Sequence, residues 1–430
     1  MKKNVLAKSI LAVLVMMLFA AGTAGAGGGQ DKAAKAGGPI EVSFWSLFTG
    51  GDGEFFDAMV KEFNRTHPDI VMKTDTVKFD NYYTKLTTAL AAKNAPDVVV
   101  VHQSNLLNYV PKGSLYALDD VLKKLSAPMN DFVAAPLDAC KFDGKLYALP
   151  LDVHALIMYY NTDLFKQAGV TQVPRTYDEV IRAAQAVQEK TGAMGMAVDN
   201  TTATYKAYTL TRLFMSLLKQ EGVDILSADN SKANFNNAAG EKALKALIDM
   251  VQTYKVTPAG LDYDGAMTAF RLGKAGMHFN GVWATGAFEN QAGLTFAAVP
   301  LPAMLGQSAA WSGSHTLAVP VQKTMDPKKV EAAVTFILWM TEHGEMWAKA
   351  GHIPTRISVT QKPEFLSLPY RKGYADAAAF AIAPPRTAAW DEVYNNMSDS
   401  LEYAVNRNQD VKTALADMEK KVNDIIATYK

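Results

Sequence analysis

Between Lys145 and Phe165 the chain reads Lys-Leu-Tyr-Ala-Leu-Pro-Leu-Asp-Val-His-Ala-Leu-Ile-Met-Tyr-Tyr-Asn-Thr-Asp-Leu-Phe. The stretch is apolar and rich in strand formers, yet Pro150 interrupts it. Proline has no N–H to give to a ladder, so it cannot occupy the middle of a regular central strand. The run is therefore either one strand with a bend or a segment that leaves one sheet and enters another. In the second reading it is the first crossover between two lobes. Asp152 and His154 then face the gap, and a helix starts at Asn161-Thr162-Asp163. Length favours two lobes, because 430 residues exceed what one core of ordinary size serves.

Upstream, Ile40 to Trp45 predicts a first strand, followed by a loop holding Gly50, Gly51 and Gly53. Phe55, Phe56, Met59, Val60 and Phe63 recur at helical spacing. A second strand over 70–77, a helix ending near Asn94 and the run Val98 to Val101 complete a β-α-β-α-β order. Four valines bounded by turn residues suggest a strand covered on both faces, as in a parallel sheet. The order is that of a doubly wound α/β lobe.

Downstream the pattern becomes more helical. Thr176 and Glu179 form a capping box. Helices are expected over 204–220 and 238–254, a strand and turn over 276–283, and a strand over 294–299. A strand over 316–320 follows a glycine- and serine-rich segment and marks a second crossover. Asp326-Pro327 opens a helix, with proline in its first turn. Residues 352–358 supply a third crossover, and a Pro384-Pro385 break precedes Trp390.

The N-terminus reads as a targeting segment. Lys2 and Lys3 precede an apolar stretch over 10–21, too short to span a bilayer comfortably, and Ala24-Gly25-Ala26 offers a small-x-small cleavage pattern. Residues 1–26 are the expected signal peptide, with Ala20-Ala21-Gly22 a neighbouring alternative, and 27–39 a disordered leader. Cys140 is the only cysteine, so no disulfide forms within the chain and no lipid sits on a mature N-terminus. A periplasmic location follows. Lysine plus arginine and aspartate plus glutamate both number 43, which argues against nucleic acid or a polybasic membrane patch as partner.

Catalytic signatures are missing. There is no Gly-x-Ser-x-Gly and no His-Glu-x-x-His, and Gly273-Lys274 lacks the rest of a phosphate-binding loop. Gly51-Asp52-Gly53 is followed by Phe56 where a dinucleotide fingerprint needs its third glycine. The seven histidines are scattered without zinc-ligand spacing, so each reads as a surface or hydrogen-bonded residue, with no metal and no cofactor expected. Two tyrosine pairs, Tyr82-Tyr83 and Tyr159-Tyr160, raise ferric iron as a ligand. In a strand, neighbours point to opposite faces, so one core and one exposed tyrosine is the simpler reading. Trp45, Trp283, Trp311 and Trp390 lie beside turns, glycine or polar residues, whereas Trp339 and Trp347 belong to an amphipathic, core-facing segment. Indole faces suit the C–H face of a sugar ring, and amide, carboxylate and guanidinium groups suit its hydroxyls. An open α/β sheet places ligands beyond the carboxyl ends of its strands.

The motifs Phe-Trp (44–45), Phe-Asn-x-x-His-Pro-Asp-Ile (63–70), Ala-Pro-Asp-Val (95–98), Gly-x-Leu-x-x-Leu-Asp-Asp (113–120), Asp-Gly-Lys-x-Tyr-Ala-Leu-Pro-x-Asp (143–152), Tyr-Tyr-Asn-x-Asp-Leu-Phe (159–165), Asn-Gly-x-Trp (280–283) and Gly-x-x-Pro-Thr-Arg (351–356) stand in one order. Together they make the chain resemble the family 1 extracellular solute-binding proteins of ABC transporters, which include the maltose binders. The resemblance implies an α/β, two-lobe periplasmic-binding-protein fold, each lobe a sheet flanked by helices, with three hinge crossovers. Lobe 1 would hold 40–152 and 312–354, and lobe 2 would hold 153–311 and 355–430. It implies a monomer that carries a sugar or oligosaccharide to an inner-membrane permease. Carried over by motif, Trp45, Thr49, Tyr83, Ser104, Asn105, Asp152, Trp283, Trp311, Ser312, Gly313, Arg356 and Trp390 would line the cleft. Trp283 and Trp390 would stack on sugar faces, and Asp152 and Arg356 would bind hydroxyls. Ser104-Asn105 replaces an Asp-Arg pair of the maltose binders, and Asp152 replaces their alanine, so the ligand expected is not maltose. The loop around 200–212 matches no motif. Rival expectations are a phosphorylated polyol, ferric iron, or a secreted carbohydrate-active enzyme with two carboxylates ~5–10 Å apart.

Overall fold

Val98, Val99, Val100 and Val101 expose no surface. The strand Val98–His102 is flanked on both edges, by Ile40–Ser46 in parallel and by His315–Ala318 in antiparallel. Ile70–Thr76 lies parallel outside Ile40–Ser46, and Ala148–Pro150 closes the far edge against His315–Ala318. The five-stranded sheet is thus mixed rather than wholly parallel. Its parallel half comes from the β-α-β-α-β run, and its antiparallel half is returned by later chain. The computed structural model describes residues 38–202, 208–375 and 380–429. The expected signal peptide, nearly all of the leader and part of the 200–212 loop lie outside the described residues.

Helix Gly53–Thr66 buries Phe56, Met59, Val60 and Phe63, with Phe55 only partly covered. The Phe44 and Phe56 rings meet at 5.0 Å, and Phe63 meets Phe336 at 5.0 Å. Phe336 comes from helix Pro327–Glu342, whose cap Asp326 accepts the Lys328 N–H ahead of a first-turn proline, as its sequence predicts. Trp339 and Trp347 fall in this first core, which draws on residues 42–151 and 317–350.

Pro150 ends an edge strand, where its missing N–H costs no ladder bond. One residue later the chain is in a second sheet. Strand Asp152–Asn161 is its spine, pairing antiparallel with Ala275–Gly281, Phe296–Pro300, Ala310–Gly313 and Ile353–Pro354. Asn161 caps the helix that follows, its Oδ1 accepting the N–H groups of Asp163 and Leu164 at 3.0 and 2.9 Å. The Thr176–Glu179 capping box is formed. The helix expected over 238–254 is α-helical only over Ala238–Ile248. It widens to a π turn over Asp249–Thr253 and stops at Lys255, whose φ of 52° no right-handed helix can continue. The strand expected over 316–320 runs instead over His315–Ala318, because the chain re-enters the first sheet immediately after Ser314. A second core draws on residues 156–311 and 374–426.

The chain passes between the sheets three times. The passages lie at Leu151, at Ser314, and between helix Gly344–Ala348 and strand Ile353–Pro354. The tyrosine pairs divide as one core and one partly exposed residue each. Tyr82 and Tyr159 are fully buried, and their hydroxyls donate to the carbonyls of Val100 and Gly281.

Candidate functional site

Strand ends, the loops beside them and one helix converge on a single cavity. The loop after Ile40–Ser46 brings Leu47, Thr49, Gly50 and Asp52, and strand Val98–His102 ends in His102. The second sheet brings His154 and Trp283, and helix Tyr208–Gln220 brings Arg212. With Phe79, Tyr263 and His315 these line a cavity whose empty space, counting the open solvent at its mouth, is about 530 Å³. Gly50 lets the first loop pass close to Trp283. A Cβ there would stand 3.2 Å from the Trp283 ring.

Trp283 presents an indole to the cavity and donates Nε1–H to the Tyr263 hydroxyl at 2.9 Å. The Arg212 guanidinium lies 4.1 Å from the centre of the Trp311 ring and 4.8 Å from that of Trp283. A guanidinium held by two indoles keeps its donors in a fixed plane.

Behind the cavity wall sits Asp152, fully buried. Its Oδ1 accepts His154 Nδ1–H at 2.9 Å and the His315 backbone N–H at 3.1 Å. Its Oδ2 accepts His315 Nδ1–H and Trp347 Nε1–H, both at 2.7 Å. His352 Nδ1 lies 3.3 Å from the same oxygen, its ring stacked on Trp347 at 4.4 Å, while its Nε2 reaches Asp52 at 3.4 Å. Burial opposes the charge of Asp152, but the imidazoles of His315, His352 and His154 outweigh it and hold the carboxyl well below its ordinary range. Burial lowers His154 to about 3 and, helped by its histidine neighbours, puts His102 well below the usual imidazole range, so both are neutral at physiological pH.

Asp152, His154, His315 and His352 could bring four ligand atoms within 4.8 Å of one another, close enough for a metal ion. The hydrogen bonds argue for another use. Both carboxylate oxygens already accept two N–H donors each, and the Nδ1 atoms of His154 and His315 face the carboxylate as donors.

The expected cleft residues divide. Thr49 and Trp283 line the cavity. Trp311 stands beside Trp283, ring centres 6.4 Å apart, and Gly313 and Ser312 pair with His154 and Ala155 of the central strand. Tyr83 stands behind His102 and Phe79, its hydroxyl 2.5 Å from His102 Nδ1. Ser104 bonds Asn105, and Asn105 bonds Asp391.

The remaining expectations need correction. Asp152 does not face the gap, because its oxygens are spent on protein donors. Arg356 Nε donates to Asp131 at 2.6 Å, over the Phe132 ring and outside the cavity lining. Trp45 carries the Lys85 ammonium 4.0 Å above its ring, and Trp390 is buried against Tyr394; neither lines the cavity. Four indoles do not share one gap; Trp283 lines it and Trp311 stands beside Trp283. The histidines, read singly as scattered, gather. Residues 102, 154, 315 and 352 lie at strand ends and passages, so no local spacing could have announced them. Arg212 and Tyr263 also escaped the sequence reading, since neither belongs to a motif.

Comparison with known proteins bears on the chain as a whole. The model of one family, described as bacterial extracellular solute-binding protein, matches residues 58–373. The arabinooligosaccharide-binding protein of Bacillus subtilis is 30% identical over 384 residues, covering 85% of this chain and 83% of that protein. The diacetylchitobiose binding protein DasA of Streptomyces coelicolor is 25% identical over 99% of both. Among solved structures, maltose-bound MalE3 of T. maritima superposes with a TM-score of 0.81 at 23% identity, covering 90% of this chain and 100% of that one. The GacH receptor of Streptomyces glaucescens gives 0.80 at 23%, covering 91% and 100%.

Proposed function

This chain belongs to the bacterial extracellular solute-binding proteins, and on that footing we propose that it captures a sugar or short oligosaccharide in the cavity around Trp283 and delivers it to the permease of an ABC importer. The observation that carries the reading is the pairing of the Trp283 indole with a polar wall of Thr49, His102, His154 and His315 in one cavity. An indole face and a ring of hydrogen-bonding groups are what a pyranose or furanose needs. The similar proteins from Bacillus subtilis and Streptomyces coelicolor are named for binding arabinooligosaccharides and diacetylchitobiose, which supports the same ligand class here. Ligand that touches both cores favours the closed arrangement by its differential affinity.

The proposal includes the lobe boundaries drawn from the motifs, secretion by a cleaved signal without a lipid anchor, residence in the periplasm, action as a monomer and no catalysis. Among the described residues, no helix is long and apolar enough to cross a membrane. Arg212 favours a second reading, an acidic or phosphorylated saccharide, because a guanidinium in the cavity suits a carboxylate or phosphate.

A thermal-shift panel tests both. It contains arabino-, chito- and malto-oligosaccharides, a uronic acid and a sugar phosphate. One sugar class should raise the melting temperature of the wild type, and Trp283→Ala should abolish that rise. A wild type that no sugar stabilises, or a Trp283→Ala variant that responds normally, would count against the assignment.

A further inference from the structure

We infer that Asp152 is a positioning residue for ligand binding, holding His154 and His315 in the Nδ1–H tautomer so that each offers Nε2 as a hydrogen-bond acceptor to ligand hydroxyls. The inference rests on the cavity being the sugar site.

The tautomer follows from the donors around one carboxylate. The Trp347 indole N–H and the His315 backbone N–H can only donate, and they donate to Asp152 at 2.7 and 3.1 Å. An ionised carboxylate can only accept. The Nδ1 atoms of His154 and His315, at 2.9 and 2.7 Å from the same oxygens, must therefore carry protons. A ring that is neutral, as burial keeps His154 and as we infer for His315, has a lone pair on Nε2 when its proton is on Nδ1. Both rings line the cavity, and among the described residues no hydrogen bond reaches either Nε2.

Gly313 supplies an independent observation. It pairs with His154 across the sheet, and a Cβ at this position would lie 2.6 Å from His154 Nε2. Only a residue without a side chain leaves that nitrogen uncovered.

His102 completes the pattern with opposite polarity. Its backbone N–H donates to the Tyr83 hydroxyl at 2.9 Å, and that hydroxyl lies 2.5 Å from His102 Nδ1; if the hydroxyl donates its own proton to Nδ1, the ring's proton sits on Nε2. The wall thus offers two acceptors and one donor. A sugar hydroxyl can answer either, whereas an ammonium, which only donates, cannot answer the donor.

The test uses the mature protein with ¹⁵N-labelled histidine. Histidine spectra distinguish protonated from lone-pair ring nitrogens. Single His→Gln variants assign the signals. His154 and His315 should show unprotonated Nε2, and His102 unprotonated Nδ1. The sugar identified by the panel should move the Nε2 signals of His154 and His315. In Asp152→Asn the amide can donate as well as accept, so the tautomer bias should vanish and affinity should fall about tenfold per hydrogen bond lost. Gly313→Ala should weaken binding at least as much by crowding His154 Nε2 while the His315 tautomer stays unchanged, and the lost tautomer bias in Asp152→Asn is what a merely structural role for Asp152 would not produce. Nε2–H signals from His154 or His315 in the wild type, or wild-type affinity in Asp152→Asn or Gly313→Ala, would overturn the inference. If no sugar binds the wild type, the sugar assignment falls and the ligand half of the inference with it, and the spectrum still decides whether Asp152 sets the tautomers.

Discussion

Nδ2 of Asn105 donates to Oδ2 of Asp391 at 2.8 Å across 286 positions of sequence, and Asn108 donates to the same oxygen at 3.0 Å. The asparagines follow the third strand of the first sheet, and Asp391 opens helix Trp390–Asn406, which packs in the second core. The contact bridges the two halves. Burial pushes the Asp391 carboxyl up to about 6, although the two amides pull it the other way.

A carboxyl raised above its ordinary value stabilises the native state most below that ordinary value, and the contribution is lost as pH rises through about 6. Melting temperature should therefore carry a falling component between roughly pH 4 and pH 7 that Asp391→Asn removes. Since Asp391 keeps some solvent exposure, the effect is about 1–2 kcal/mol. Matched thermal scans of both proteins across that range decide it; identical pH profiles would show that Asp391 is not the group.

Trp283 serves the core as well as the cavity, being 8% exposed and bonded to Tyr263. Trp283→Ala should cost about 3 kcal/mol in denaturant unfolding, besides its effect on ligand. Trp283→Phe retains most of the ring and should cost less than half as much. A Trp283→Ala variant as stable as the wild type would mean that the indole is not packed as described.

Arg356 should matter for stability alone. Its pairing with Asp131 is largely shielded from solvent, and Asp131 also accepts from Ser358. Burial alone would raise Asp131, yet Ser358 and Arg356 together hold it below its ordinary value. Arg356→Ala should lower unfolding free energy by about 2 kcal/mol and leave ligand affinity within about threefold. A larger loss of affinity, measured by calorimetry, would return Arg356 to the site.

Arg212→Met separates the two ligand classes. A neutral sugar loses about one hydrogen bond, roughly tenfold in affinity. An acidic one loses a charge-assisted pair, about hundredfold. Unchanged calorimetric affinity for every sugar would remove Arg212 from the site.

Much of the architecture is legible in local chemistry. Pro150 marks the passage between sheets because its missing donor is a property of one residue, and Asn161, Thr176 and Asp326 announce helix starts for the same reason. The two-lobe plan is readable from motifs spread along the chain. The site is harder. Asp152 and His154 are two residues apart, yet their partners His315 and His352 come from segments that only the fold unites. The indoles mislead in a physical way. A tryptophan beside a turn can cover a ligand, shelter a lysine as Trp45 does, or fill a core as Trp390 does, and local sequence does not distinguish these.

The three passages between the sheets converge on one buried carboxylate. Asp152 opens the first, His315 follows the second, and His352 lies in the third. If one half swings against the other, the least displaced atoms are those at this knot, as at the centre of a ball joint. The same atoms form the backing of the ligand wall. A swing of that kind would change the gape of the jaws while leaving the Nε2 atoms of His154 and His315 nearly in place.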